Sequence, residues 1–261
     1  MKSLYTAATG MMAQQLNVEV ISNNIANMRT TGYKRQRAEF QDLLYQNLRR
    51  QGSTTSADGS TVPSGIQVGA GVKTGATYRV MSQGSLAFTE KNLDLAIRGE
   101  GFFQIELSGG QTGYSRDGTF ERDAEGNMVT LDGYKLIPNI VIPESSRDIS
   151  IGKDGSVDVF LDDSTVATNV GQITLARFAN KAGLEAIGDN ILLETPSSGT
   201  ANVAIAGSSG TGNILQNFVE QSNVNAVQEI SELITAQRAY EMNSKVITVS
   251  DEMMSVTARL K

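Results

Sequence analysis

The 261-residue sequence predicts a discontinuous α+β fold, with N- and C-terminal helices forming one coiled-coil domain and a central, mainly antiparallel β domain between them. Three observations predict it. Near the start, Leu4, Met11, Val18 and Ile25 recur every seven residues, with Ala7, Gln14, Ile21 and Met28 three places behind. Near the end, Ala226, Leu233, Tyr240, Ile247 and Met254 repeat that spacing. A seven-residue apolar repeat keeps one stripe on one side of a helix, as in a coiled-coil seam. Between the two ends the period falls to two, and Asp-Gly turn signals follow one another at short intervals. The pattern points to assembly, with the two sets of four residues from Leu4 to Ile25 and from Leu233 to Met254 as the candidate interface.

Residues 1–34 carry the first helix. Ser3 is placed to cap it, Ala7, Ala8, Met11, Met12, Ala13 and Leu16 favour it, and Thr30-Thr31-Gly32 ends it. Residues 35–92 form a connecting region. Arg35 to Arg49 reads as a second short amphipathic helix with Phe40, Leu43, Leu44 and Leu48 on one side. The small, polar run Gly52 to Thr61, continued by Pro63, Gly65, Gly69 and Gly71, is either disordered in the monomer or an extended arm that orders against a neighbour.

Residues 93–200 read as the outer β domain. Leu93, Leu95 and Ile97 alternate with polar or small residues, and Gly99-Glu100-Gly101 turns the chain into Phe102 to Leu107. Asp117-Gly118, Glu125-Gly126-Asn127, Asp132-Gly133 and Asp154-Gly155 separate short strands, with further strands expected at 157–161, 173–178 and 191–193. Residues 201–222 are the return connection. The last segment, 223–261, is helical from Asn225 to about Leu260: Asn225 and Gln228 resemble a capping box, and no Pro or Gly interrupts a rod of about 54 Å.

Composition excludes several functions. The net charge of −6 argues against a general nucleic-acid surface, and the basic run Lys34, Arg35, Arg37, Arg49 and Arg50 reads as a solvated face. With no Cys and no His, thiolate nucleophiles, Cys/His zinc sites and imidazole acid–base chemistry are absent. No segment reads as a secretory signal or a bilayer span, so export is expected by a route without a cleaved signal peptide, and no direct membrane insertion is expected.

The candidate chemical motifs are weak. Gly99-x-Gly101 sits between strands and reads as a turn, not a dinucleotide loop. Asp123 to Asn127 lacks the spacing of a calcium loop, and Asp154/Asp158 and Asp162/Asp163 read as solvated hairpin carboxylates. No catalytic residue, cofactor or metal is assigned. In the last helix, Gln237, Asn243, Ser244 and Ser250 lie near the seam, where a purely structural coiled coil prefers leucine. They suggest a helix that meets several neighbours and buries its polar faces only in a polymer.

Longer strings carry a resemblance. Ser22-Asn23-Asn24-Ile25-Ala26-Asn27-Met28-Arg29-Thr30-Thr31-Gly32-Tyr33-Lys34, followed by Phe40 to Tyr45, resembles the N-terminal signature of the flagellar rod and hook family. Gly101 to Ile105 and Tyr114 to Phe120 resemble its β-domain motifs, and Ser222 to Asn225 with Leu233 to Glu241 its C-terminal motif. The resemblance spans nearly the whole chain. Length and the 46–75 segment are most similar to distal-rod members, while hook and proximal-rod members share the ends.

The resemblance implies a structural subunit that self-associates into a hollow helical tube. Its implied partners are the proximal rod and hook proteins, the surrounding basal-body rings and the flagellar export apparatus.

Overall fold

A computed structural model of the chain describes residues 2–51, 64–162 and 166–259. The chain divides into two compact units, one of residues 1–26, 36–78 and 225–261, the other of residues 27–35 and 79–224.

The first unit holds two helices, α1 (Lys2–Ala26) and α2 (Ala226–Arg259), and four strands, β1 (Gln36–Asp42), β2 (Tyr45–Arg49), β3 (Ile66–Gly69) and β4 (Val72–Arg79). α1 begins before Ser3, which lies inside the first turn and does not cap it. At α2, Asn225 Oδ1 accepts the backbone N–H groups of Val227 (3.1 Å) and Gln228 (3.3 Å), satisfying two donors that the helix leaves open. The Gln228 amide nitrogen donates to Glu232 one turn on (3.0 Å). The helices pack antiparallel: Asn24 meets Glu229 and Gly10 meets Asn243, pairs 14 residues apart on both helices. α2 is the longer, and by this register its last eight or so residues run beyond the residue opposite Lys2, an overhang of about 12 Å.

Residues 35–49 are not helical. They form β1, which pairs with β4, and β2, which pairs with β3. The cause lies in Asn24. Its Nδ2 donates to the Gln36 carbonyl (2.8 Å) and its Oδ1 accepts the Gln36 N–H (2.8 Å), so the side chain pairs with Gln36 as a neighbouring strand would and takes the carbonyl that a first helical turn would use. The apolar residues that suggested a helical face fit a strand equally well over so short a run. Leu43 N–H donates to Gly71 C=O at 2.9 Å, and Leu44 is left 89% exposed. β2 and β3 make a two-stranded ribbon with Gln46 opposite Val68 and Asn47 opposite Gln67, and every β2 residue is exposed. The small polar run 52–61 lies outside the described residues.

The second unit is β-rich, as the alternating pattern predicts. Its strands are β5 (Leu86–Phe88), β6 (Leu95–Arg98), β7 (Phe102–Glu106), β8 (Thr112–Ser115), β9 (Phe120–Arg122), β10 (Met128–Thr130), β11 (Lys135–Ile137), β12 (Ser146–Ile151), β13 (Ser156–Leu161) and β14 (Thr168–Gln172). β15 (Thr174–Arg177), β16 (Glu185–Gly188), β17 (Ile191–Leu193), β18 (Asn202–Ile205), β19 (Asn213–Gln216) and β20 (Phe218–Glu220) complete it. One sheet runs β16-β17-β8-β7-β11-β10-β9, with β15 bridging β7 and β18; β12-β13-β14 form a second. The pairs β6–β19 and β5–β20 stand apart, and every ladder is antiparallel.

The turn signals act through backbone conformation: Gly126, Gly133 and Gly155 adopt φ of 87°, 84° and 85°, where a side chain is disfavoured. β7 is buried on both faces, with Phe103 in the main core beside Phe120, Leu95, Leu136 and Leu175, and Phe102 in a smaller cluster with Tyr114 and Phe178. Aromatic edges meet faces at Phe103–Phe120 (5.2 Å) and Tyr114–Phe178 (4.7 Å). Deep in the sequence the unit closes on itself, since Gly32 N–H donates to Glu220 C=O at 2.7 Å and Arg35 N–H donates to Asn223 Oδ1 at 2.7 Å.

Candidate assembly interface

The buried positions of the described helix pair include Ala7 and Ile21 from the second row of the predicted stripe, but none of the eight candidate interface residues. On α1 the buried positions are Ala7, Ala13, Val20, Ile21 and Asn24; on α2 they are Glu229, Ala236 and Ser250, with Asn243 half-buried against Gly10. The seven-residue step of α2 survives, but in a different phase and carried by small and polar residues. Close approach is the reason: a Cβ on Gly10 would stand 3.0 Å from the Asn243 amide, so bulky side chains have no room along this line. The sequence carries the signal in the heptad of Glu229, Ala236, Asn243 and Ser250, two of which, Asn243 and Ser250, are the polar residues near the predicted seam.

The eight candidate interface residues lie on the flanks of that contact. Leu4, Met11, Val18, Ile25, Leu233, Ile247 and Met254 are half-buried and Tyr240 is exposed. Val18 and Tyr240 come together in an open groove with Gln15, Glu19, Gln237 and Glu241; the other six do not share it. A second stripe on α2 is wholly exposed. Met242, Val246, Val249, Met253 and Val256 follow one another at steps of four and three, a narrow apolar seam with no partner among the described residues. Leu44, Tyr45, Leu48, Ile66 and Val68 on and beside the β2–β3 ribbon are exposed as well.

Within the second unit, Lys34 and Arg116, from two of the strings that carry the family resemblance, meet Glu220 in one buried charge node. Lys34, Arg116 and Glu220 are 5%, 7% and 0% exposed. Lys34 Nζ lies 2.5 Å from Glu220 Oε1, and Arg116 Nη1 lies 3.6 Å from Oε2. Glu220 Oε1 also accepts Gly84 N–H (2.9 Å), Lys34 donates to Ser82 C=O (3.0 Å), and Arg116 donates to Ile97 and Gly99 carbonyls. Burial holds the Lys34 pKa below its ordinary value, opposed by Glu220; burial does the same to Arg116, opposed by Glu220 and Glu100. The Arg116 guanidinium also lies over the Phe102 ring at 5.6 Å. The basic run therefore divides: Lys34 is an interior cation, not part of a solvated face.

The candidate acidic sites serve turns. Asp123 Oδ1 accepts the N–H groups of Glu125 and Asn127, and Oδ2 accepts the Asn127 amide, so three hydrogen bonds tie the carboxylate to its own turn. Asp154 accepts both the N–H and hydroxyl of Ser156, and Asp158 accepts the amide of Asn169 across the β13–β14 ladder. Hydrogen bonds, from Asn127 and Ser156 first, hold both Asp123 and Asp154 below the ordinary carboxylate pKa. Gly99 and Gly101 turn β6 into β7 with φ of 116° and 139°, and no helix follows. Asp163 lies outside the described residues. No described helix is long and apolar enough to cross a membrane.

Three family models match the chain: the flagella basal body rod protein model over residues 4–34, the flagellar hook protein FlgE/F/G D1 domain over 96–159, and the flagellar basal body rod FlgEFG protein C-terminal model over 215–260. The flagellar basal-body rod protein FlgG of Caulobacter vibrioides is 57% identical over 261 residues, covering all of both chains. The FlgG protein of Agrobacterium fabrum is 52% identical over 259 residues, with 99% of each chain covered. FlgF of Caulobacter vibrioides, another rod protein, is 32% identical over 255 residues, covering 96% of this chain and 94% of its own. The chain belongs to the flagellar basal-body rod protein family, as a structural subunit of the rod and not an enzyme.

Proposed function

We propose that the chain polymerises into the distal part of the rod, a rigid hollow shaft that carries motor torque to the hook. The observation that carries this reading is the unpartnered 4-3 stripe from Met242 to Val256. In the polymer, the helices of segments 1–34 and 223–261 pack with those of neighbouring copies as a coiled-coil tube around a channel. Leu4, Met11, Val18, Ile25, Leu233, Tyr240, Ile247 and Met254 enter these contacts. Segment 93–200 makes the outer layer, and the ribbon within 35–92 lies along a neighbour. Head-to-tail contacts that do not close give a helical polymer.

Energetics favour a lattice over a dimer. The five stripe residues are each about half exposed, so covering them yields about 4–8 kcal/mol gross. Association costs about 4–15 kcal/mol in lost freedom. One such contact is near break-even, and stable assembly needs several neighbours at once. The same reading makes proximal rod and hook proteins the end neighbours and the basal-body rings the surroundings. Delivery runs through the flagellar export apparatus to the periplasm-spanning rod, without a cleaved signal peptide.

Val246→Asp with Met253→Asp tests the stripe. The doubly substituted protein keeps its monomer fold by circular dichroism and forms no tubes by electron microscopy; tubes of normal yield refute the assignment. Straight tubes from the parent support the distal rod, and curved or supercoiled ones move it to the hook side of the family.

A further inference from the structure

Asn217 sits where one strand leaves a ladder and joins another. The β20–β5 register, carried one residue further, sets Asn217 opposite Thr89; the β19–β6 register, carried one further, sets it opposite Asp94. Both pairings are realised in the backbone. Thr89 N–H donates to Asn217 C=O at 2.7 Å, and Asn217 N–H donates to Asp94 C=O at 2.8 Å. The switch of ladders holds Asn217 at φ 63°, a conformation that asparagine tolerates better than most residues.

Around this kink, Thr89 Oγ1, Asp94 Oδ1 and Asn217 Oδ1 are sealed from solvent, and none of the described residues hydrogen-bonds to any of them. Asp94 is only 4% exposed. Two neighbouring side chains are committed elsewhere: the Gln216 amide donates to the Asn92 and Ile149 carbonyls, and Lys91 pairs with Glu121 at 3.6 Å; the Thr89 hydroxyl and the Asn217 amide nitrogen are donors as well, yet neither hydrogen-bonds to Asp94 Oδ1. A buried carboxylate oxygen without a donor or cation is costly, and buried polar atoms are nearly always partnered.

We propose that these three oxygens bind a hard cation of the calcium class. The donor set is one carboxylate, one amide carbonyl and one hydroxyl. Calcium accepts such mixed oxygen ligands in flexible geometry and completes its shell with backbone carbonyls and water. Magnesium, which demands a strict octahedron, fits less well. A single carboxylate places the site in the weak range, Kd about 10⁻⁴–10⁻³ M. A cation there ties Thr89, just after β5, and Asp94, just before β6, to the β19–β20 junction, three residues before Glu220.

The test uses the full chain stripped with a chelator, titrated with calcium chloride by calorimetry and followed by thermal melting. One calcium ion per chain with a raised melting temperature is expected, and no uptake up to about 10 mM overturns the proposal. Asp94→Asn, checked for its native circular dichroism, weakens binding by about tenfold or more; uptake equal to the parent's overturns it. Asn217→Asp adds a second carboxylate and is independent of whether Asp94→Asn folds. Tighter calcium binding supports the site, whereas loss of stability with no gain in affinity means that the Asn217 amide serves as a donor to Asp94, and overturns it.

Discussion

Glu220→Gln isolates the worth of the buried charge node. The substitution keeps shape and an oxygen that accepts from Gly84 and Lys34, but it removes the carboxylate that contacts both buried cations. Lys34 and Arg116 then share an interior with like charge 5% and 7% exposed, and only Glu100 answers them from further off. Removing one member of a buried ion pair costs about 3–5 kcal/mol. With a urea m-value of about 2 kcal/mol/M, the unfolding midpoint of the β-rich unit falls by roughly 1.5–2.5 M.

The pH dependence supplies a second signature. Lys34 in the folded chain has a pKa below 10.5, so the unfolded chain binds the extra proton between the two values and stability rises with pH across that window. In Glu220→Gln the folded-state value falls further, since Glu220 opposed the fall. The deficit therefore narrows from pH 7 towards about pH 10, where Lys34 discharges at little cost. Far-UV circular dichroism in urea reads both effects, because the chain has no Trp for fluorescence. A midpoint shift under about 0.5 M at pH 7, or a deficit that does not change with pH, refutes the reasoning.

Asn24→Ala removes two bonds to the Gln36 backbone and one to Glu229, and should destabilise the helix-bearing unit by about 1–3 kcal/mol, measured by hydrogen exchange of α1 and β1 amides. Asp123 and Asp154 titrate in the folded chain below 3.8; their contribution to stability is present at neutral pH and is lost as pH falls below that value, which NMR titration of both carboxyls checks. Deleting residues 46–66 takes out most of β2 and the start of β3, breaks the ribbon and yields tubes that bend more easily in electron micrographs; an unchanged persistence length rejects a stiffening role for this segment.

Local signals are legible in the sequence and distant ones are not. The terminal helices announced themselves through composition and a seven-residue step, and the Asp-Gly hairpins through the positive φ that their glycines supply at 133 and 155. Residues 35–49 misled because Phe40, Leu43, Leu44 and Leu48 satisfy either period, and the deciding contact comes from Asn24, in another element. The phase of the helix contact was hidden for a related reason. Apolar side chains mark a face to be covered, but the closest approach of α1 and α2 selects small residues such as Gly10 and Ala236. Periodicity alone does not say which face meets its own partner and which is kept for another copy. The charge node was invisible as a unit, since Lys34 and Glu220 are 186 positions apart and each motif looks like an ordinary polar string.

That separation has a kinetic consequence. The stretch around Gly32 to Arg35 bonds to Ser82 and Val80 and also to Glu220 and Asn223, so the β-rich unit lacks its last partners until nearly all of its sequence is available, whichever end arrives first. Closing a loop of this size adds only logarithmically to the entropy cost, yet contacts so remote in sequence retard folding. A chain that is still being delivered stays an open thread, and locking comes as one late event when the two distant stretches meet.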